Sequence, residues 1–166
     1  QKVHILSGVI QNEWKARKWS FLLGGRFDHH NMVDHVIFSP RINLRYNPTE
    51  QINLRLNYAG GFRAPQTFDE DLHIALVGGE RVVTQLAPDL REERSNSLSA
   101  SIDLYRSFGS VETNLLVEGF YTALDHIFAT RYLPEPNEKG ETVLERYNGG
   151  GATVAGVNVE AKAAFS

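Results

Sequence analysis

Along most of its length the chain sets one apolar residue against one polar residue. Gln51 to Tyr58 reads Q-I-N-L-R-L-N-Y, with Ile52, Leu54, Leu56 and Tyr58 on one side and Gln51, Asn53, Arg55 and Asn57 on the other. Ile42, Leu44 and Tyr46 alternate with Arg41, Asn43 and Arg45. Leu98, Ala100, Ile102 and Leu104 alternate with Ser97, Ser99, Ser101 and Asp103. Trp19, Phe21, Leu23, Gly25 and Phe27 oppose Ser20, Gly24, Arg26 and Asp28, and Val157 to Phe165 repeats the pattern. Successive side chains of an extended backbone point to opposite faces, so this period of two belongs to strands with one apolar and one polar side. No segment shows a convincing helical period. The pattern predicts seven strands, over 3–13, 18–29, 36–47, 51–61, 94–106, 111–127 and 150–166. Several reach the roughly 9–11 residues that a tilted strand needs to cross a bilayer, against about 5–6 in soluble proteins.

The connections sharpen the expectation. Trp14–Arg17, Pro48–Glu50 and Ser107–Ser110 read as tight turns, with Asn47-Pro48 and Phe108-Gly109 as turn formers. His30–His35, Phe62–Glu93 and Phe128–Gly149 are longer links, and the two kinds alternate strictly. In an up-and-down sheet this gathers all tight turns at one end and all long loops at the other, as in outer-membrane barrels. Trp14, Trp19 and Tyr46 sit near two tight turns, where an interfacial aromatic girdle would lie. No charged residue falls on the apolar side of the four clearest strands. The expected fold is therefore all-β: an antiparallel up-and-down transmembrane β-barrel. A soluble β-sandwich binding module is the competing reading, with the same alternation turned inwards.

Composition changes the picture little. Apolar residues make up 42% and charged residues 22%, which excludes a disordered chain. A net charge of −3, with no basic stripe, gives no reason to expect nucleic acid. Cysteine is absent, so disulfides and thiolate metal sites are excluded. No apolar run is long enough for a transmembrane helix. The chain's modest average hydropathy does not argue against a barrel, whose strands show lipid only every second residue. Gln1-Lys2-Val3-His4 has no signal-peptide character, and the sequence reads as an excerpt of a longer chain. Motifs of nucleophilic, zinc-dependent and nucleotide-dependent enzymes are missing, and Gly149-Gly150-Gly151 enters a strand rather than a helix. The expectation is that this is not an enzyme.

The run from Ser39 to Pro65, S-P-R-I-N-L-R-Y-N-P-T-E-Q-I-N-L-R-L-N-Y-A-G-G-F-R-A-P, resembles the barrel of TonB-dependent outer-membrane receptors. L-G-G-R-F-D (Leu23–Asp28), the Pro88–Glu93 stretch, G-F-Y-T-A-L-D-H-I-F (Gly119–Phe128) and the run from Tyr147 to Glu160 resemble the family in the same order. The resemblance implies that residues 1–166 are about seven strands of a roughly 22-stranded barrel. The plug domain and the other strands then lie outside them. It also implies a place in the bacterial outer membrane, surrounded by lipid. The function implied is active import of a scarce, bulky nutrient such as a ferric siderophore, haem or cobalamin. Energy would come from the TonB-ExbB-ExbD complex acting through the plug, and a surface lipoprotein is a further partner the family admits. The alternative outside this class is a passive porin-like or adhesin barrel.

Candidate sites concentrate in the longest loop. Arg63, Gln66, Phe68 and His73 are the ligand-contact candidates; Arg63 has the competing role of bracing the barrel rim. Haem receptors of the family carry a histidine between F-R-A-P and a second motif, which places His73 in view as an axial ligand. A solvated loop histidine is the plainer alternative. Asp69, Glu70 and Asp71 offer hard oxygen ligands for Ca²⁺, or simply a solvated acidic face. His29, His30, Asp34 and His35 crowd one turn and carry donors a transition metal accepts. Arg26, Asp28, Arg41, Arg45, Arg55, Asp103 and Glu118 are the polar residues expected to face the lumen, first as paired charges and second as steering groups.

Overall fold

The structure, a computed structural model, describes residues 3–65 and 82–165. Among them are ten strands and no helix: β1 (Ile5–Ala16), β2 (Trp19–His30), β3 (Ile37–Thr49), β4 (Ile52–Arg63), β5 (Val82–Leu86), β6 (Glu93–Phe108), β7 (Val111–Asp125), β8 (Phe128–Tyr132), β9 (Thr142–Asn148) and β10 (Ala152–Phe165). The seven long strands form one open sheet in the order β1-β2-β3-β4-β6-β7-β10, every neighbouring pair antiparallel. They are the seven that the alternation predicts, with ends displaced by a few residues. Trp14 is a correction: it lies within β1, and the turn is Arg17–Lys18, closing the pair Ala16 and Trp19. The short strands β5, β8 and β9 lie inside the two longest links and make a second sheet, ordered β5-β9-β8.

Register carries the single-strand pattern across the whole sheet. Leu44, Leu56, Ala100, Gly119 and Val157 are successive cross-strand partners on β3, β4, β6, β7 and β10. Tyr46, Leu54, Ile102, Val117 and Val159 form the row beside them. Since a slip of one residue would invert a strand's faces, these unbroken rows place the apolar side chains that they contain on one side of the sheet. Among the described residues no second layer covers that side. Trp14 is 51% exposed, Leu23 46%, Leu56 45% and Val157 69%. A sandwich would bury them against a facing sheet. The described apolar core is instead a small knot of Val33, Ile37 and Ala64, with Phe62 packed on it, at the end of the sheet that carries the long links. Such a bare face is unfavourable in water and is the solvated face in acyl chains.

The opposite end closes by short turns. Arg17 and Gly109 begin two-residue turns with φ of 30° and 63°. Such hairpins need positive φ to match the strands' right-handed twist. Between Tyr46 and Thr49 the β3–β4 register shifts. Pro48 lies in that interval and has no N–H to give the ladder. Trp19 stacks on Tyr46 with ring centroids 4.0 Å apart, and Trp14 on Phe21 at 5.6 Å, giving this end a band of paired rings. Gly25 has a separate purpose. The Phe38 ring lies over it so closely that an added Cβ would fall 2.3 Å from a ring carbon.

Candidate functional site

Polar groups gather on the other side of the sheet. Register puts Arg26, Asp28, Arg41, Arg45, Arg55, Asp103 and Glu118 all on that side: Gly24 pairs with Arg41, Arg45 with Arg55, Arg55 with Ser101, and Ser101 with Glu118. They do not form one cluster. Arg26 Nε donates to Asp28 Oδ2 at 2.7 Å, and the Ser7 hydroxyl donates to Oδ1 of the same carboxylate at 2.5 Å. Asp28 is only 2% exposed, so both donors offset its desolvation. Asp103, also buried, accepts from the Tyr105 hydroxyl at 2.8 Å and from the Asn114 amide, with Arg55 Nη2 at 3.5 Å. Arg45 faces Arg55 directly across the strands, beside Glu13, Ser20, Asn43 and Asn57, around a depression of about 210 Å³. No ion pair among the described residues joins Arg41 or Glu118.

The loop end of the sheet is where separated segments converge. The β5–β9 pairing is parallel, Val82 with Thr142 through Leu86 with Arg146, and β8 lies antiparallel on the far side of β9. Two links that are distant in sequence therefore share one sheet. The Phe128 ring lies beneath two guanidinium groups, Arg63 at 5.5 Å and Arg146 at 5.7 Å from its centroid. Arg63 also approaches Glu93 Oε2 at 3.5 Å, while Glu93 accepts from the Phe128 N–H. Arg63 is thus tied to both β6 and the start of β8. Arg131 reaches Glu145 at 2.6 Å and lies over the Tyr147 ring at 4.7 Å.

Between these segments opens a cleft of about 590 Å³. Its walls are Met32–His35 from the β2–β3 link, Leu90–Glu92 and Arg94 from the approach to β6, and His126 after β7. Glu92, 5% exposed, stands in the wall. Burial alone would raise its pKa. Two bonds from the Arg94 guanidinium, at 2.7 and 2.9 Å, and the nearby His35 outweigh burial and hold the carboxyl below its ordinary value. His35 Nε2 lies 3.2 Å from both Glu92 Oε1 and Arg94 Nη2. At the cleft's edge Asn148 makes three bonds. Its Oδ1 accepts from the Arg91 N–H at 2.7 Å, and its Nδ2 donates to the carbonyls of Arg91 at 2.9 Å and His126 at 2.7 Å. His126 has φ of 56°, a left-handed conformation that few residues adopt without support.

Gln66, Phe68, Asp69, Glu70, Asp71 and His73 lie outside the described residues. The suggested grouping of His29, His30, Asp34 and His35 does not form. No group of three or more metal-binding side chains converges among the described residues. His29 and His30 are strand neighbours and point to opposite faces. His30 is buried, its Nδ1 accepting from the Met32 N–H at 3.1 Å, while His35 is engaged by Glu92 and Arg94. Arg91, Glu92, Arg94, His126 and Asn148 escape sequence reasoning, because the bonds that tie Asn148 to Arg91 and His126, and Glu92 and Arg94 to His35, span 22 to 59 residues.

Comparison with known proteins agrees with this geometry. Residues 6–166 match the family model described as "TonB dependent receptor-like, beta-barrel". The siderophore receptor PirA from Pseudomonas aeruginosa superposes with a TM-score of 0.75 at 18% identity, over 95% of this chain and 30% of that one. A mutant of the ferric enterobactin receptor PfeA from the same organism, in complex with enterobactin, gives 0.68 at 17%, over 95% and 24%. The FrpB iron transporter from Neisseria meningitidis gives 0.68 at 16%, over 95% and 23%. Identities this low speak for a shared fold alone, and the chain spans less than a third of the length of each of these structures. No curated protein is significantly similar to the chain in sequence.

Proposed function

Because the chain belongs to the TonB-dependent receptor β-barrel family, we propose that it is barrel wall and loop rim from an outer-membrane receptor importing a scarce, bulky nutrient. The family is one of transport receptors, not enzymes. The observation that carries the reading is the division of labour between the two ends and two faces of the sheet. One face is apolar and bare, suited to acyl chains. The other is polar, suited to a water-filled or plugged lumen. Every long link emerges at one end, and there the links pack on one another around the cleft. A passive pore needs no such structured rim, and a nutrient too dilute and too large for diffusion needs a capturing one.

The solved structures it resembles include siderophore, ferric enterobactin and iron receptors, so a ferric chelate is the first cargo to test, ahead of haem and cobalamin. Energy coupling would run through a plug and the TonB-ExbB-ExbD complex. The test uses the full-length receptor in a Gram-negative strain that lacks its own iron-chelate receptors. Accumulation of labelled ferric enterobactin that disappears when tonB is deleted supports the reading. Accumulation that persists without TonB points to a passive channel, and absence from the outer-membrane fraction overturns both.

A further inference from the structure

We propose that the rim cleft is an oxyanion-binding subsite, with Arg91 and His126 as the ligand-contacting donors and Asn148 as the residue that positions them. The inference rests on the receptor reading and specifies the chemistry of its rim. Six charged or titratable side chains line the cleft: Asp34, His35, Arg91, Glu92, Arg94 and His126. Three are committed to one another. Glu92 is held by Arg94, and His35 lies against both. Arg91 and His126 make their hydrogen bonds among the described residues through the main chain, and both of those main chains are held by Asn148. Their side chains are exposed. With Glu92 neutralised by Arg94, the unspent groups are one guanidinium and one imidazole, against the single carboxylate of Asp34.

A guanidinium presents planar, paired donors that match an oxyanion, and an imidazole adds a donor or a full charge as it takes up a proton. Position is the harder requirement, since Arg91 and His126 belong to links 35 residues apart in sequence. One amide supplies it, its oxygen accepting one bond and both its N–H groups donating to the two backbones. Asn148 is itself fixed, as the last residue of β9, which lies between β5 and β8. Anions of several chemical classes meet this description (carboxylates, phosphates, deprotonated catechols), and the shared feature is a delocalised negative oxygen set.

The full-length receptor, purified in detergent, is titrated with pyrenetetrasulfonate, a fluorescent polyanion whose charge is constant between about pH 5.5 and 7.5, and with a neutral pyrene alcohol as control. The polyanion should bind, the alcohol should not, and Arg91→Ala should weaken the polyanion by about tenfold or more, the range of a lost charge-assisted hydrogen bond. His126→Ala should also weaken the polyanion, because the imidazole is the second donor. His35→Gln, whose imidazole already lies against Glu92 and Arg94, serves as the control and should change affinity least. Asn148→Ala touches no ligand. It should weaken binding, add little further loss on top of Arg91→Ala and His126→Ala combined, and speed amide exchange at 90–92 and 126–128, with the barrel intact by its heat-dependent electrophoretic mobility. Equal binding of alcohol and polyanion, or an Asn148→Ala receptor with unchanged affinity, overturns the proposal. Either result in an assembled barrel leaves the receptor reading standing, whereas failure of the barrel to assemble removes the receptor reading itself.

Discussion

Exchanging the characters of two adjacent residues tests the face assignment most directly. Leu56 and Arg55 are neighbours in the middle of β4 and point to opposite sides. Leu56 lies on the bare side between Leu44 and Ala100, well away from the Trp19–Tyr46 stack near the turns. Leu54 is a poorer choice because it is Tyr46's direct partner and sits at that aromatic band. An arginine at the bilayer midplane on the lipid face costs about 2–4 kcal/mol, which lowers the ratio of folded to unfolded barrel by roughly 30- to 900-fold. Arg55→Leu works against much weaker forces. Its ion pair with Asp103 spans 3.5 Å with 42% of the Arg55 side chain exposed, worth about 0–1 kcal/mol. Asp103 keeps its bonds from Tyr105 and Asn114. Removing Arg55 also relieves the like charge directly opposite at Arg45. The two variants should therefore differ by at least about 1 kcal/mol. Urea titration of the full-length receptor in phospholipid vesicles, followed by tryptophan fluorescence, measures both. Equal midpoints, or a larger loss for Arg55→Leu, would refute the assignment of the apolar side to lipid.

Other expectations follow from single contacts. Gly25→Ala should destabilise the barrel by about 1–3 kcal/mol, because its Cβ must displace the Phe38 ring. Phe38→Leu should recover much of that loss in the same urea titration. Gly109→Ala should cost about 1 kcal/mol at its φ of 63°, and Arg17→Gly should be neutral or stabilising at φ of 30°; refolding yields into vesicles rank the two turns. Glu92 has a lowered pKa, so it contributes stability above the ordinary carboxylate range that is lost as pH falls through its folded value. Amide exchange at the rim should thus accelerate below about pH 4 in the parent receptor. Glu92→Gln should be faster already at neutral pH, with a flatter acid response.

The wall was legible because its clearest strands obey one rule over most of their length. From Ile52 to Tyr58 every even-numbered residue is apolar, and nothing outside the strand is needed to see it. The rim follows no such rule. In β9, Val143 is buried, but so are Glu145 and Arg146 side by side, since Arg131 and the Phe128 ring meet them there. Adjacent buried polar residues erase a period of two. Asn148 reads in sequence as an ordinary turn residue before three glycines, and its importance exists only once Arg91 and His126 are brought to it. The histidines of the β2–β3 link mislead for the converse reason: closeness in sequence puts His29 and His30 on opposite faces.

The continuous pairing of β6 with both its neighbours makes the wall behave like a reading frame. One residue inserted in mid-strand would turn everything beyond it inside out, presenting serines to the hydrocarbon and leucines to the interior. A residue added between β8 and β9 merely lengthens a loop. The rim can therefore absorb changes of length, while the wall accepts change only by substitution.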